Sequence, residues 1–183
     1  MRLLEGKRLQ PAGGSTGEWR QARAGSCETE AMANCVTCEL IERRDRHESP
    51  LWDSIRQTPS WDIVHAFGTT IEGWMVLVAR RHITSVAEMS DDEAATVGPL
   101  IREISRCLQA VVDCEKTYVV QFAEHQNHPH VHVHVIPRAR DLPVDQRGPA
   151  IFSRMDTSSS EVVSAERMDE IAAQLSAELR IPI

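Results

Sequence analysis

The sequence predicts an α+β domain in which an antiparallel sheet of about five strands packs against one long helix, with a second helix at the C-terminus. Three observations predict this class. Five short apolar segments have the length and β-branched content of strands. A capping motif precedes a long stretch of helical apolar spacing, and a second such stretch ends the chain. At 183 residues, the chain suits one domain with a sizeable core.

The N-terminal residues 1–33 are rich in Gly, Ala, Ser, Arg and Glu and show no sustained apolar periodicity. Such a segment buries too little apolar area to offset the entropy lost on ordering. We therefore expect a disordered N-terminal extension over 1–33.

The next three strands are predicted from turn chemistry and apolar runs. Residues 51–56 can form a strand, the turn-forming Thr58-Pro59-Ser60 follows, and 61–67 can form a second strand, so the pair is interpreted as a hairpin. After a loop at 68–73, the apolar run 74–79 is short enough for a buried strand.

A long helix is predicted to begin at Ser90, which forms a capping box with Glu93. Apolar residues then recur at helical spacing, and Gly98-Pro99 is expected to kink the helix rather than end it. A strand at 116–122 and a polar loop at 123–129 come next. Residues 141–183 are interpreted as an irregular segment followed by an amphipathic helix, at about 165–180, that packs on the domain.

Histidine alternates with valine in the segment that follows the polar loop, so that His130, His132 and His134 are expected on one face of a strand and the valines on the other. Imidazoles about 7 Å apart along one face are costly to bury. A functional cause, either metal binding or acid, base and nucleophilic chemistry, is favoured over a strand that merely carries surface histidines.

The segment from His130 to Ile136 resembles the signature of the histidine-triad (HIT) superfamily of nucleotide hydrolases and transferases, His-φ-His-φ-His-φ-φ with φ apolar. Gln126 before the first histidine also matches. The run from Gly73 to His82 is similar to the family's Gly-x-x-Leu-Val-x-Pro-x-x-His segment, with Ala79 in place of the proline. The resemblance covers roughly residues 34–140, which we interpret as the HIT domain.

The motif Cys35-Val36-Thr37-Cys38 is by itself compatible with a redox pair, half of a zinc site, or two incidental cysteines. The resemblance favours structural zinc. In zinc-containing HIT proteins and the related galactose-phosphate uridylyltransferases, such a pair joins two histidines, whose positions correspond here to His82 and His130. His125 and His128 are alternative ligands within reach of the loop.

The resemblance also implies nucleotidyl transfer at an α-phosphate through a covalent nucleotidyl-histidine. His132 is the expected nucleophile, which requires a backbone carbonyl or similar acceptor to hold the proton on its other nitrogen. His134 is expected to donate to a phosphate or leaving-group oxygen, and Gln126 to act as a neutral donor. Gln121 is a further candidate for substrate binding. Cleavage of a dinucleoside polyphosphate or related nucleotide is favoured over cleavage of a phosphoramidate.

Many HIT proteins hold the ribose hydroxyls with an acidic residue at the end of the second strand, where this chain has Ala66-Phe67-Gly68. Glu72 or another residue of the 68–73 loop is the expected substitute. The missing acid also suggests an alternative, a non-catalytic nucleotide- or zinc-binding module.

Composition restricts the possible partners. The formal net charge of −7 argues against an electrostatic nucleic-acid binder, and no apolar run is long enough for a membrane span or an exported leader. Five cysteines form no regular disulfide framework and suit a reducing compartment. We therefore expect a cytoplasmic protein that acts on a small nucleotide, and the resemblance implies a homodimer.

Overall fold

The structure, a computed structural model, describes residues 35–155 and 161–180, so that the predicted disordered extension at 1–33 lies outside the described residues. Five strands form one antiparallel sheet in the order β1-β2-β3-β5-β4. The α+β class is confirmed. The strands are β1 (Arg56–Gln57), β2 (Trp61–His65), β3 (Met75–Ala79), β4 (Lys116–Gln121) and β5 (His132–Arg138), and the helices are α1 (Val36–Asp45), α2 (Asp91–Val111) and α3 (Ala165–Glu178).

The two faces of the sheet contribute to two separate buried clusters. On one face, Ile63, Leu77 and Val133 pack with apolar residues of α2 and α3. On the other, Val64 and Val76 pack with Ile41 of α1 and with Ile151 of a 3-10 turn at Gly148–Arg154. The strand alternation predicted for the histidine segment therefore holds along β5, where the valines face α2 and His132 and His134 face the opposite side.

The capping box at the start of α2 is confirmed, since Glu93 N–H donates to Ser90 Oγ and Ser90 N–H to Glu93 Oε2. The helix continues through Pro99, as predicted. Gly73, with φ +77°, precedes β3 close to the end of α2, and a Cβ at this position would lie 3.0 Å from Leu108 Cδ2. A side chain at this position would therefore be strained by the positive φ and would crowd Leu108 and Val112 of the helix end. Among the helices of the described residues, none has the length and apolar character needed to cross a bilayer.

The prediction of a strand over 51–56 is wrong for most of its length. Leu51–Asp53 forms a 3-10 turn, and only Arg56–Gln57 pairs with β2, in the predicted hairpin. Two polar contacts hold this backbone away from the sheet: the Asp53 carboxylate binds the buried Arg44 guanidinium at 2.7 Å, and Trp52 N–H donates to Asp169 of α3 at 2.8 Å.

The expectation that His130 shares the catalytic strand with His132 and His134 is also wrong, because β5 begins at His132. His130 N–H donates to the His128 carbonyl at 2.7 Å, which bends the backbone just before the strand. The bend separates His130, which is fully buried, from the two histidines that follow it.

Arg44 joins α1 to the rest of the domain through buried ion pairs with Asp53 at 2.7 Å and Asp62 at 3.3 Å. Arg80 extends the network, at 2.7 Å from Asp62 and 2.8 Å from Asp45. A buried charge without its partner costs about 3–5 kcal/mol, so the network couples the position of α1 to that of β2.

Candidate functional site

A pocket of about 350 Å³ lies on the sheet face that carries His132 and His134, within the size range of small-molecule sites. The sheet supplies its floor through Val64, Val76 and Val78. The remaining wall residues come from α1 and the turn after it, from the end of β2, from the polar loop, and from the 3-10 turn at 148–154 and its flank: Thr37, Leu40, Arg44, Asp53, His65, Ala66, Phe67, His125, His128, Phe152 and Met155.

His132 is held in a single tautomer by the backbone beside it. Its Nδ1 lies 2.7 Å from the His130 carbonyl oxygen, and because a carbonyl only accepts, Nδ1 must carry the proton. Burial lowers the pKa of His132, so that the ring is neutral at pH 7. Nε2 therefore keeps its lone pair, and the acceptor that the sequence analysis required for a nucleophile is present.

His134 is held in the opposite tautomer. The indole N–H of Trp74 can only donate, and its Nε1 lies 3.1 Å from His134 Nδ1, which must therefore accept. In the neutral ring the proton then resides on Nε2. Burial, with the neighbouring His132 adding to it, lowers the pKa of His134 to about 4. The two rings are 4.9 Å apart, so one pocket holds an unprotonated Nε2 beside a protonated one.

Phe152 is a pocket residue that the sequence analysis missed, because it lies in the segment interpreted as irregular. Its ring packs edge-on against Trp74 at 5.5 Å and against His134 at 6.0 Å. Phe122, at the end of β4, contacts it at 5.4 Å. An isolated phenylalanine shortly after Gly148-Pro149 was the only signal in the sequence for this wall.

The polar loop places His125 and His128 at the pocket rather than in the cysteine cluster, where they were alternative ligands. His128 Nδ1 shares a hydrogen bond of 2.9 Å with Thr37 Oγ1. Gln126 lies between these histidines, exposed to solvent, and is not among the residues that line the pocket.

Two other candidates also lie away from the pocket wall. Gln121 is half-buried on β4, opposite Val133. Glu72 forms an ion pair of 2.7 Å with Arg167 of α3, which also holds the pKa of that carboxyl below its usual range. The structure therefore does not offer Glu72 as the substitute for the acidic ribose ligand.

Four candidate metal ligands, Cys35, Cys38, His82 and His130, converge within 4.8 Å of one another and could hold a metal ion. Cys35 Sγ and Cys38 Sγ lie 3.6 Å and 3.5 Å from His130 Nδ1. Cys38 Sγ lies 3.2 Å from His82 Nδ1. Bonds of about 2.3 Å to sulfur and 2.0–2.1 Å to nitrogen in a tetrahedral site imply sulfur–nitrogen separations near 3.5 Å, which these distances approach.

The orientation of His130 also suits metal binding. Its Nε2 donates to the Ala79 carbonyl oxygen at 2.6 Å, so Nδ1 carries no proton and faces the two sulfur atoms. Burial lowers the pKa of His130 to about 4, which keeps the ring neutral. Burial also raises the pKa of the Cys38 thiol to about 12, so a cation has to displace its proton.

Ala79 N–H donates to the Val131 carbonyl at 3.1 Å, a bond that the family's proline could not make.

The cysteine turn and the pocket are directly connected. Val36 N–H donates to the Asn127 carbonyl at 3.0 Å, and Thr37 holds His128, so the turn that carries both cysteines also fixes the polar loop. His130 contributes its ring to the cluster and its carbonyl to His132. A metal bound at the cluster would thus hold the backbone that sets the tautomer of His132.

The family model described as the HIT domain matches residues 55–141. Among solved structures, the chain is similar to a HIT-like protein from Bartonella henselae described as involved in cell-cycle regulation, with 17% identity over 80% of this chain and 96% of that one and a TM-score of 0.60. A hypothetical histidine triad nucleotide-binding protein from Sulfolobus tokodaii shares 14% identity, with 78% and 91% coverage and a TM-score of 0.57.

A third structure, a zinc-bound histidine triad family protein from Mycobacterium smegmatis, shares 16% identity over 80% of this chain and 98% of that one, with a TM-score of 0.53. These likenesses concern the fold. A search of curated protein sequences finds no match.

Proposed function

Because the chain belongs to the histidine-triad (HIT) superfamily, we propose that it is a hydrolase or nucleotidyltransferase acting at the α-phosphate of a dinucleoside polyphosphate or similar nucleotide. The observation that carries the proposal is the pairing of tautomers in the pocket. His132 has an unprotonated Nε2, while His134 has a protonated Nε2, in rings 4.9 Å apart. A nucleophile and a hydrogen-bond donor therefore face one ligand site.

In the proposed reaction, the Nε2 lone pair of His132 attacks the α-phosphorus and forms a P–N bond. The bond from phosphorus to the bridging oxygen breaks, and the leaving phosphate takes the electron pair. As the ring becomes positive, the His130 carbonyl stabilises the proton on Nδ1. Water or another acceptor then attacks phosphorus, the electron pair of the P–N bond returns to Nε2, and the proton of the acceptor passes to the medium.

His134 is proposed to hydrogen-bond a phosphate oxygen, with Gln126 as a neutral donor that would have to turn in from the exposed loop. Gln121 pairs with Val133, whose side chain faces α2, so it lies on the other face of the sheet and is not part of the proposed site. His134→Ala should slow turnover by roughly 10²–10⁴-fold without abolishing the covalent step, because attack by His132 does not use the His134 proton. Rapid-quench measurement of adduct formation and steady-state turnover checks this. Turnover by this variant at the wild-type rate would show that His134 takes no part in the reaction.

The metal proposed for the four-residue cluster is zinc, in a structural role. Two thiolates and two imidazoles are a common donor set for structural zinc, and four protein ligands leave no open position for a water molecule. When bound, zinc would supply a fixed anchor between α1 and the backbone before β5. The chemistry at phosphorus would remain with His132 and His134.

A non-catalytic nucleotide-binding module is the alternative, and one observation favours it. Ala66 lines the pocket where many HIT proteins have the acidic ribose ligand. Such a module would bind AMP without forming a covalent adduct, so denaturing mass spectrometry after incubation with a dinucleotide separates the two proposals.

We also propose a homodimer that extends the sheet through β4, which is an edge strand beside α2. Val119 on β4 is 48% exposed and Phe122 just beyond it is 57% exposed, which suits an unpaired apolar edge. Light scattering at micromolar concentration should give the dimer mass for the wild type and the monomer mass for Val119→Glu. Leu51→Glu, at an exposed leucine in the turn that contacts β2 and α3, on the opposite side of the sheet from β4, should remain dimeric. A monomeric wild type would contradict the proposal.

A cytoplasmic location is proposed on the basis of the thiols. Cys35, Cys38, Cys107 and Cys114 are all free and buried, which suits a reducing compartment. The proposed partner is a small nucleotide rather than a nucleic acid or a membrane surface, in keeping with the net charge of −7.

A further inference from the structure

The hydrogen bond between Trp74 and His134 bears on which leaving group the site accepts. We propose that Trp74 is a positioning residue that keeps His134 a neutral Nε2–H donor, and that this selects nucleoside phosphoanhydrides over nucleoside phosphoramidates. The inference rests on the proposed nucleotidyl transfer and specifies its substrate class.

Trp74 is well placed to hold one tautomer. Its side chain is completely buried, Phe152 packs edge-on against its ring, and its backbone carbonyl accepts from Ala66 N–H at 2.8 Å. A second proton on His134 would place Nδ1–H against the indole N–H, two donors face to face. Protonation of His134 therefore requires breaking this bond and leaving a buried indole N–H without an acceptor.

The other ionisable groups that line the pocket do not favour a second proton on His134. The nearest ring is His132, which disfavours a positive charge on His134. Asp53 is the one carboxylate among the described residues that line the pocket, and it is bound to Arg44. The other ionisable groups facing the pocket are neutral or cationic: His65 on β2, and His125 and His128 in the loop.

The two substrate classes differ in what the leaving group needs. In a phosphoanhydride, the bond from phosphorus to the bridging oxygen breaks and the leaving phosphate keeps the electron pair as a stable anion, since its last proton has a pKa near 6. It therefore needs only a hydrogen bond. In a phosphoramidate the P–N bond breaks, and the nitrogen must receive a proton because an amide anion is a very poor leaving group.

An imidazolium could supply that proton and become neutral imidazole. A neutral Nε2–H could supply it only by becoming an imidazolate, which is far less stable. With His134 held neutral, cleavage of a phosphoramidate lacks a proton donor for the leaving nitrogen. Cleavage of an anhydride needs only the hydrogen bond that neutral His134 provides.

The test compares kcat/KM for diadenosine triphosphate and adenosine 5′-phosphoramidate between pH 5 and 8. The wild type should prefer the anhydride by roughly 10²-fold or more, the usual contribution of a general acid. Trp74→Phe keeps an aromatic ring against Phe152 and removes the indole N–H together with part of the buried ring. Its amidate activity should rise toward the acid end of this range, because His134 loses the donor that opposes a second proton while burial and His132 still lower its pKa, and its preference for the anhydride should fall about tenfold.

Trp61→Phe is the matched control, because it removes another buried indole donor, which binds the Glu93 carbonyl at 3.2 Å on the opposite face of the sheet. Its substrate preference should equal that of the wild type. A folded Trp74→Phe variant with an unchanged preference, or an equal shift in both variants, would overturn the inference.

A spectroscopic measurement on the wild type does not depend on the stability of any variant. Nitrogen-15 NMR of histidine-labelled protein, assigned through His134→Asn, should show the Nε2–H tautomer of His134 and no protonation down to about pH 5.5, well below the ordinary histidine pKa. An Nδ1–H tautomer or titration near pH 6.5 would contradict the role of Trp74.

If the wild type turns over neither substrate, the proposed function and the selectivity fail together. Equal turnover of both overturns the selectivity alone.

Discussion

His132→Ala is expected to abolish turnover while leaving nucleotide binding largely intact. The substitution removes the atom that would attack phosphorus, whereas most of the pocket wall belongs to other residues. The wild type, quenched after mixing with a labelled dinucleotide, should carry an acid-labile nucleotidyl group on His132. Peptide mass spectrometry locates the adduct, and calorimetry with AMP measures binding.

His125→Ala is the appropriate control, because His125 is an exposed imidazole that lines the same pocket without a role in attack. It should retain the adduct and most of the turnover. An adduct on another residue, or wild-type turnover in His132→Ala, would refute the nucleophile assignment and favour the non-catalytic module.

The sequence pattern predicted those features of the site that follow from local periodicity. Alternation along β5 is a property of any extended strand, so the separation of Val133 from His132 and His134 could be predicted before the fold was known. The capping box of α2 is equally local. The carbonyl that accepts from His132 was predictable only as a chemical requirement, since His130, the residue that carries it, lies on a bend rather than in the strand.

The remaining features depend on contacts between distant segments. Phe152 lies over His134 because its 3-10 turn packs on the sheet, and nothing in the local sequence specifies that placement. Trp74 belongs to the apolar run that predicts β3, but its bond to His134 depends on pairing between β3 and β5. The 51–56 strand was wrongly predicted because Asp53 is drawn to Arg44.

Removal of the metal proposed for the four-residue cluster should destabilise the domain more than any single change in the pocket. The cluster joins α1, His82 after β3, and His130 before β5, so its loss frees three segments at once. Structural zinc contributes about 10–16 kcal/mol of binding free energy in small zinc-finger peptides, and even a fraction of that is comparable to the stability of a domain. We expect a marked fall in the urea midpoint on chelation, measured by circular dichroism.

Cys35→Ser combined with Cys38→Ser should give the same loss of stability and contain no zinc, whereas purified wild type should contain one zinc per chain. Cys107→Ala is the control, because Cys107 is a buried thiol outside the cluster and its replacement should leave the metal content unchanged.

Zinc affinity should fall as pH falls, because the thiols and imidazoles that bind zinc must be deprotonated. Without a cation, burial raises the pKa of the Cys38 thiol to about 12, so protons compete strongly with zinc there. The fraction of molecules that stay folded should still form the adduct, because in them the His130 carbonyl still holds the proton of His132 on Nδ1 and leaves Nε2 free. Metal analysis that finds no zinc in wild type purified without chelators, or zinc retained by the double variant, would refute the site.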